Sequence, residues 1–157
     1  MGNEHRIADI FLDEHSVISR SPQVDHERKV AIYDLLEENH FQLNDGLTGP
    51  FNLHLSIAEN RLHFDVRDTD DNELAEITLP LSPFRSIVKD YFMVCDSYFK
   101  AIKISSPSQI EAIDMGRRGL HNEGADILKE RLAEKVGIDT DTARRLFTLI
   151  CVLHIRA

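Results

Sequence analysis

Phe51-Asn52-Leu53-His54-Leu55-Ser56-Ile57-Ala58-Glu59-Asn60-Arg61-Leu62-His63-Phe64-Asp65-Val66-Arg67 alternates apolar and polar residues on both sides of a two-residue break. Alternation with a period of two marks strands that bury one face. With Glu59-Asn60 as the turn, Ile57 faces Leu62, Leu55 faces Phe64 and Leu53 faces Val66, so all the apolar side chains share one face. A slip of one residue would scatter them over both faces, which supports this register. Asp68 to Asn72 reads as a second turn, and 73–81 as a third strand with Ala75, Ile77, Leu79 and Leu81 inward. The strands 51–57, 61–67 and 73–81 form an antiparallel meander. Its opposite face carries Asn52, His54, Ser56, His63, Asp65 and Arg67 and is expected to be wet.

Outward from the meander the pattern becomes helical. Upstream, 6–12 is a candidate further strand, and Ser21-Pro22 opens a helix over 22–38 with Val24, Ala31, Ile32, Leu35 and Leu36 on one stripe. Downstream, Ser82-Pro83 caps a helix over 83–103. Its apolar residues, widened by Phe92 and Phe99, predict a place at the centre of the core. Ser106-Pro107-Ser108-Gln109 is a capping box opening a helix over 107–136, with Gly137 as its stop. Asp139-Thr140-Asp141 caps the last helix, 140–155, which is apolar on nearly all sides. The β-branched residues in 148–155 leave a buried strand there as the rival reading. The order of elements predicts an α+β fold, a meander covered on one face by about four helices, in one domain over 1–157.

Composition limits the functions open to such a fold. Of the 157 residues 42% are hydrophobic, enough for a folded core, and the net charge of −9 argues against general binding to nucleic acid or anionic membranes. Cys95 and Cys151 lie in apolar stretches and are expected as buried free thiols. The N-terminus has no apolar signal segment, no stretch is long enough to span a membrane, and Arg6 stands where a myristoylation motif needs Ser or Thr. A cytoplasmic location follows. No HExxH, CxxC, GxSxG or P-loop occurs, so no metal and no cofactor is expected. Asp68-Thr69-Asp70-Asp71-Asn72-Glu73 begins like a calcium loop but lacks its glycine and distant glutamate, and reads as a hairpin turn. His54 opposite Asp65, and His63 opposite Ser56, read as surface cross-strand pairs, with orientation of a base or ligand as the functional alternative.

The conflict in the chain lies in Gly116-Arg117-Arg118-Gly119-Leu120-His121-Asn122-Glu123-Gly124. Arg117 falls on the apolar stripe made by Ile110, Ile113, Leu120, Ile127 and Leu128, where a cation needs a partner. Three glycines also weaken a helix by about 1 kcal/mol each relative to alanine. Either the helix is continuous and the glycines let another backbone approach, or it breaks near Gly116 and restarts at Asn122. The broken form would set Arg117, Arg118 and His121 at a helix N-terminus that favours anions. The candidate binding residues are therefore Arg117, Arg118, His121, Asn122 and Glu123, with Glu123 as a base if there is chemistry. The structural reading pairs Arg117 with Asp114 or Glu123 and holds helices in register. Arg144-Arg145, early in the last helix, calls for an acidic partner such as Asp139 or Asp141.

Four blocks carry a resemblance. They are Pro22…His26-Glu27-Arg28…Ala31-Ile32-Tyr33-Asp34-Leu35-Leu36-Glu37-Glu38-Asn39, Leu81-Ser82-Pro83-Phe84-Arg85-Ser86-Ile87-Val88-Lys89-Asp90-Tyr91-Phe92, the run from Pro107 to Gly124, and Thr142-Ala143-Arg144-Arg145-Leu146-Phe147-Thr148-Leu149. Together they resemble an uncharacterised protein family of short alphaproteobacterial proteins, over nearly the whole chain. The resemblance implies a bacterial cytoplasmic protein and brings no activity or catalytic residue with it. Two functions stay open. The first is a small regulatory or protein-binding module without catalysis, expected to dimerise. The second is an anion- or phosphate-binding protein, or an enzyme, that uses 116–124.

Overall fold

The computed structural model describes residues 4–13 and 22–154. β1 (Ile7–Leu12) leads to α1 (Pro22–Glu37) and a short β2 (Phe41–Leu43). The meander follows as β3 (Phe51–Ala58), β4 (Arg61–Arg67) and β5 (Glu73–Pro80). Next come α2 (Ser82–Ile104), α3 (Pro107–Leu132), a short β6 (Val136–Ile138) and α4 (Thr140–His154). The fold is α+β. Ser21, read as the cap of the first helix, lies outside the described residues.

The meander register is the expected one: Leu53 opposite Val66, Leu55 opposite Phe64, Ile57 opposite Leu62. Glu59 and Asn60 take φ of 55° and 61°. This left-handed pair gives the turn whose twist suits a two-residue hairpin. Leu53, Leu55, Leu62, Phe64 and Val66 are wholly buried on the inward face. The turn after β4 closes on Asp68, whose carboxylate accepts the N–H of Asp70 and of Asn72, both at 2.9 Å. β1 joins β3 in parallel, so the four-stranded sheet β1-β3-β4-β5 is mixed rather than wholly antiparallel. A parallel neighbour needs a crossover, and α1 lies on that connection.

Asn39 makes the junction between α1 and the sheet edge. Its carboxamide accepts the Ile7 N–H (2.7 Å) and donates to the carbonyls of Ile7 (3.0 Å) and Leu35 (2.7 Å). One side chain thus closes the helix and satisfies backbone groups on the edge strand, which would otherwise be left open.

β2 and β6 form a second, two-stranded sheet that the sequence reading missed, pairing Phe41 with Ile138 and Leu43 with Val136. Residues 133–136, expected at the end of the third helix, instead turn out of it after Leu132, and Val136–Ile138 is a strand. A strand of three residues is too short to show a period.

Two further expectations are corrected. Ser82 does not cap α2: it is already helical, and the N-cap is Leu81, whose buried side chain has no acceptor and whose N–H donates to the Asn60 carbonyl (3.0 Å). The centre of the core belongs to α4, not α2. α4 buries ten residues in its fifteen, and Asp139 caps it through the Thr142 N–H (2.8 Å). The strand reading of 148–155 fails, since 148–154 is helical. α2 buries Phe84, Ile87, Val88, Tyr91 and Cys95 but only Ala101 beyond them.

α3 runs unbroken through its glycines. A Cβ on Gly124 would collide with the Phe147 ring of α4, whereas one on Gly116 or Gly119 would meet nothing within 4 Å. Only Gly124 allows a close approach, and what approaches is a side chain rather than a backbone. Gly116→Ala and Gly119→Ala should therefore each stabilise the protein by up to ~1 kcal/mol, while Gly124→Ala should destabilise it by about 1–3 kcal/mol through overpacking. Urea unfolding of the three variants checks this, and an equal gain at all three positions would refute the packing role of Gly124.

Candidate functional site

The unbroken helix removes the helix N-terminus that the broken reading placed at Asn122. The N-terminus of α3 lies at Pro107, where Ser106 and Gln109 complete the expected capping box. The segment 116–124 lies mid-helix, so its five candidate residues point in different directions.

Arg117 points inward. Its guanidinium donates to Asp114 (Nε 3.2 Å, a terminal nitrogen 2.8 Å) and to Glu27 of α1 (3.4 Å), and lies 5.0 Å from the centre of the Tyr98 ring. Burial disfavours its charge, but Asp114 and Glu27 outweigh that and hold its pKa above the ordinary value. Arg118 reaches the other Asp114 oxygen at 3.1 Å and is largely exposed. One carboxylate therefore serves both arginines, one oxygen to each. Of the two expected partners of Arg117, Asp114 is present. Glu123 is exposed.

His121 turns toward α4. Its Nε2 lies 2.8 Å from both the Arg144 carbonyl and the Thr148 hydroxyl, and its ring stacks on Tyr91 at 5.6 Å. Burial pushes its pKa down to about 4, outweighing the hydrogen bond to Arg144. A neutral imidazole that donates to one of these oxygens fits the geometry, with no carboxylate beside it. His121 and Glu123 do not form an acid–base pair.

Asn122 accepts from Arg144 Nε (2.7 Å), and Arg144 also meets Asp141 (2.9 Å), the acidic partner expected for it. Arg145 donates to the Glu38 carbonyl (3.1 Å). Arg118, Asn122 and Arg144 border a shallow, open depression with Met115 and Gly119. On the sheet, His54 and Asp65 are opposite each other but do not pair. His54 meets Asp71 (3.0 Å) and stacks on Phe11, while Asp65 accepts two bonds from Arg67.

Glu27 is the residue the sequence reading missed, and a signal for it was present. It falls three residues after Val24 and four before Ala31, on the apolar stripe of α1, as Arg117 falls on that of α3. Two opposite charges misplaced on two apolar stripes are candidates for each other. The two thiols are free and buried, as expected. Among the described residues no cluster of three metal-ligating side chains occurs and no helix is long and apolar enough to cross a membrane.

These features define an α+β protein whose charged residues clamp a helical layer together. The chain belongs to the uncharacterised protein family UPF0262, whose pattern it matches over residues 4–156. It is 65% identical to the UPF0262 protein of Rhodospirillum rubrum over 150 residues, 96% of this chain and 92% of that one. It is 59% identical to the UPF0262 protein of Paramagnetospirillum magneticum, over 99% of both chains, and 57% identical to that of Cereibacter sphaeroides, over 96% and 98%. No solved structure matches.

Two outcomes follow from the geometry. Arg117→Ala strands Glu27 and leaves Asp114 with Arg118 alone in a part-buried site, and should cost about 2 kcal/mol, between the values for exposed and fully buried pairs. It should lower the thermal midpoint by several degrees, and millimolar phosphate should leave the midpoints of wild type and variant unchanged. A rise in the wild-type midpoint alone would make Arg117 a ligand-binding residue. For His121, the folded pKa of about 4 lies below the ordinary 6.5. The unfolded chain therefore takes up the proton first, and stability falls as pH drops from about 6.5 toward 4. The loss attributable to His121 at pH 4.5 is about 2–3 kcal/mol. His154 is shifted the same way by burial, so the difference between wild type and His121→Gln in urea unfolding isolates the one group. Parallel pH profiles would refute it.

Proposed function

We propose that this chain is a small cytoplasmic protein-binding module of alphaproteobacteria that works by docking rather than by catalysis. The observation that carries this reading is the far half of the α2–α3 hairpin. From Ile102 to Glu123 no residue is buried, yet Ile102, Ile104 and Met115 are 48%, 87% and 61% exposed. Apolar side chains set out on one end of a helical hairpin gain by being covered, and such surfaces mark protein contacts more often than bare solvent faces. The reading is supported also by the inward members of 116–124, since Arg117 and His121 are satisfied within the fold. A second copy of the chain is one partner the surface would accept.

The rival, an anion- or phosphate-binding protein, has one observation in its favour, the open depression beside Arg118 and Arg144. Against it stand Asp114 and Asp141, which already neutralise those two side chains.

A photo-crosslinking residue at position 104, with position 76 on the sheet as control, tests the proposal in an alphaproteobacterial host. Covalent adducts to protein, this chain included, are expected from 104 and not from 76. No adduct, or equal labelling at both positions, would overturn it.

A further inference from the structure

Among the described residues, α1, α2 and α4 leave between them an open cavity of about 510 Å³. Close-packed interiors contain few voids larger than one water, whose share of liquid volume is about 30 Å³. A space of this size falls in the range of small-molecule sites, about 300–1,000 Å³.

Its lining has a clear division. Val24, Phe92, Phe99 and Val152 supply apolar walls, and the Cys95 and Cys151 thiols and the Tyr91 ring lie among them. Burial pushes the Cys95 thiol up to about 11 and raises Cys151 and Tyr91 as well, with the nearby Glu27 carboxylate adding to each shift, so all three are neutral. Thr148, the remaining inner polar group, is committed to the Arg144 carbonyl and His121.

Charge is confined to Glu27, Asp96, Lys100 and Lys103. Glu27 is engaged by Arg117 at 3.4 Å and Asp96 by Lys100 at 2.9 Å. Lys103 is exposed and makes no ion pair among the described residues. With Glu27 and Asp96 each engaged by a cation, Lys103 is the one uncompensated charge beside the apolar walls among the described residues.

We infer that this cavity binds an anionic amphiphile, a straight-chain carboxylate whose hydrocarbon enters between Phe92, Phe99 and Val152 and whose head group meets Lys103. A neutral interior favours the chain without fixing its orientation, and the single free cation does the orienting. A cationic amphiphile would set like charge against Lys103, and a compact hydrophilic anion would leave the apolar walls uncovered. This inference concerns the inner side of α2 and touches the hairpin contact surface only at Lys103, between Ile102 and Ile104.

The test uses the full-length protein and monomeric dodecanoate, followed by calorimetry and by the methyl NMR signals of Val24 and Val152. Dodecanoate should bind and shift both sets of methyls. Lys103→Glu, at an exposed position that leaves folding intact, should weaken dodecanoate at least tenfold. The same variant should leave the weaker binding of dodecanol unchanged. The inference is overturned by absence of dodecanoate binding, by methyl signals that stay in place while heat is released, or by equal affinity in wild type and Lys103→Glu.

Discussion

The arrangement of the helical layer depends on the absence of a side chain at Gly124. The Phe147 ring of α4 occupies the place a Cβ would take, and this sets how near α3 can come to α4. At that separation His121 reaches the Arg144 carbonyl and the Thr148 hydroxyl, and Asn122 reaches the Arg144 guanidinium. A wider gap would leave an imidazole facing apolar surface without partners, at the cost of a buried unsatisfied polar group. The polar residues of 116–124 are thus accommodated because one of its three glycines is a packing glycine. The other two face open space.

That distinction explains what was legible in the sequence. The meander could be read down to the pairing of single residues, because a period of two and a two-residue turn leave one consistent register. The patterns of α3 and α4 were weaker: the glycines left a break in α3 open, and the β-branched residues of 148–155 left a strand open there. The conflict at Arg117 was visible too, as a charge on an apolar stripe, but its main long-range partner was not sought across 90 residues of chain. What remained hidden has a physical cause in each case. β2 and β6 are three residues each, and neither has a hydrophobic period of its own. α2 looked central because Phe92 and Phe99 widen its apolar surface, but those rings are only partly buried against the core and also line a cavity. Hydrophobicity reports a preference for leaving water, and it does not say whether protein atoms or an open space wait on the other side.

The clamp between Glu27, Asp114 and Arg117 joins α1 to α3, and its Glu27 also lies on the wall of that cavity. Ion pairs in part-buried positions contribute little net stability relative to apolar packing, yet removing one partner is costly. They define which helix faces which at a place where packing is incomplete. Membership of UPF0262 extends over residues 4–156 and so takes in the sheet, the clamp and the cavity alike.

The last helix carries a consequence for how the molecule is made. α4 buries ten of its fifteen residues, and it follows every strand of the sheet in chain order. Just before it, β6 pairs with β2, and the His40 N–H reaches Thr142 across 102 residues. During synthesis the meander is complete long before its apolar face can be covered. The growing chain must therefore carry Leu53, Leu55 and Phe64 uncovered until α4 emerges. Closing so distant a contact is slow, and an uncovered sheet is prone to association. A ribosome that stalls before α4 would release a chain with a formed hairpin and no core, a natural client for chaperones.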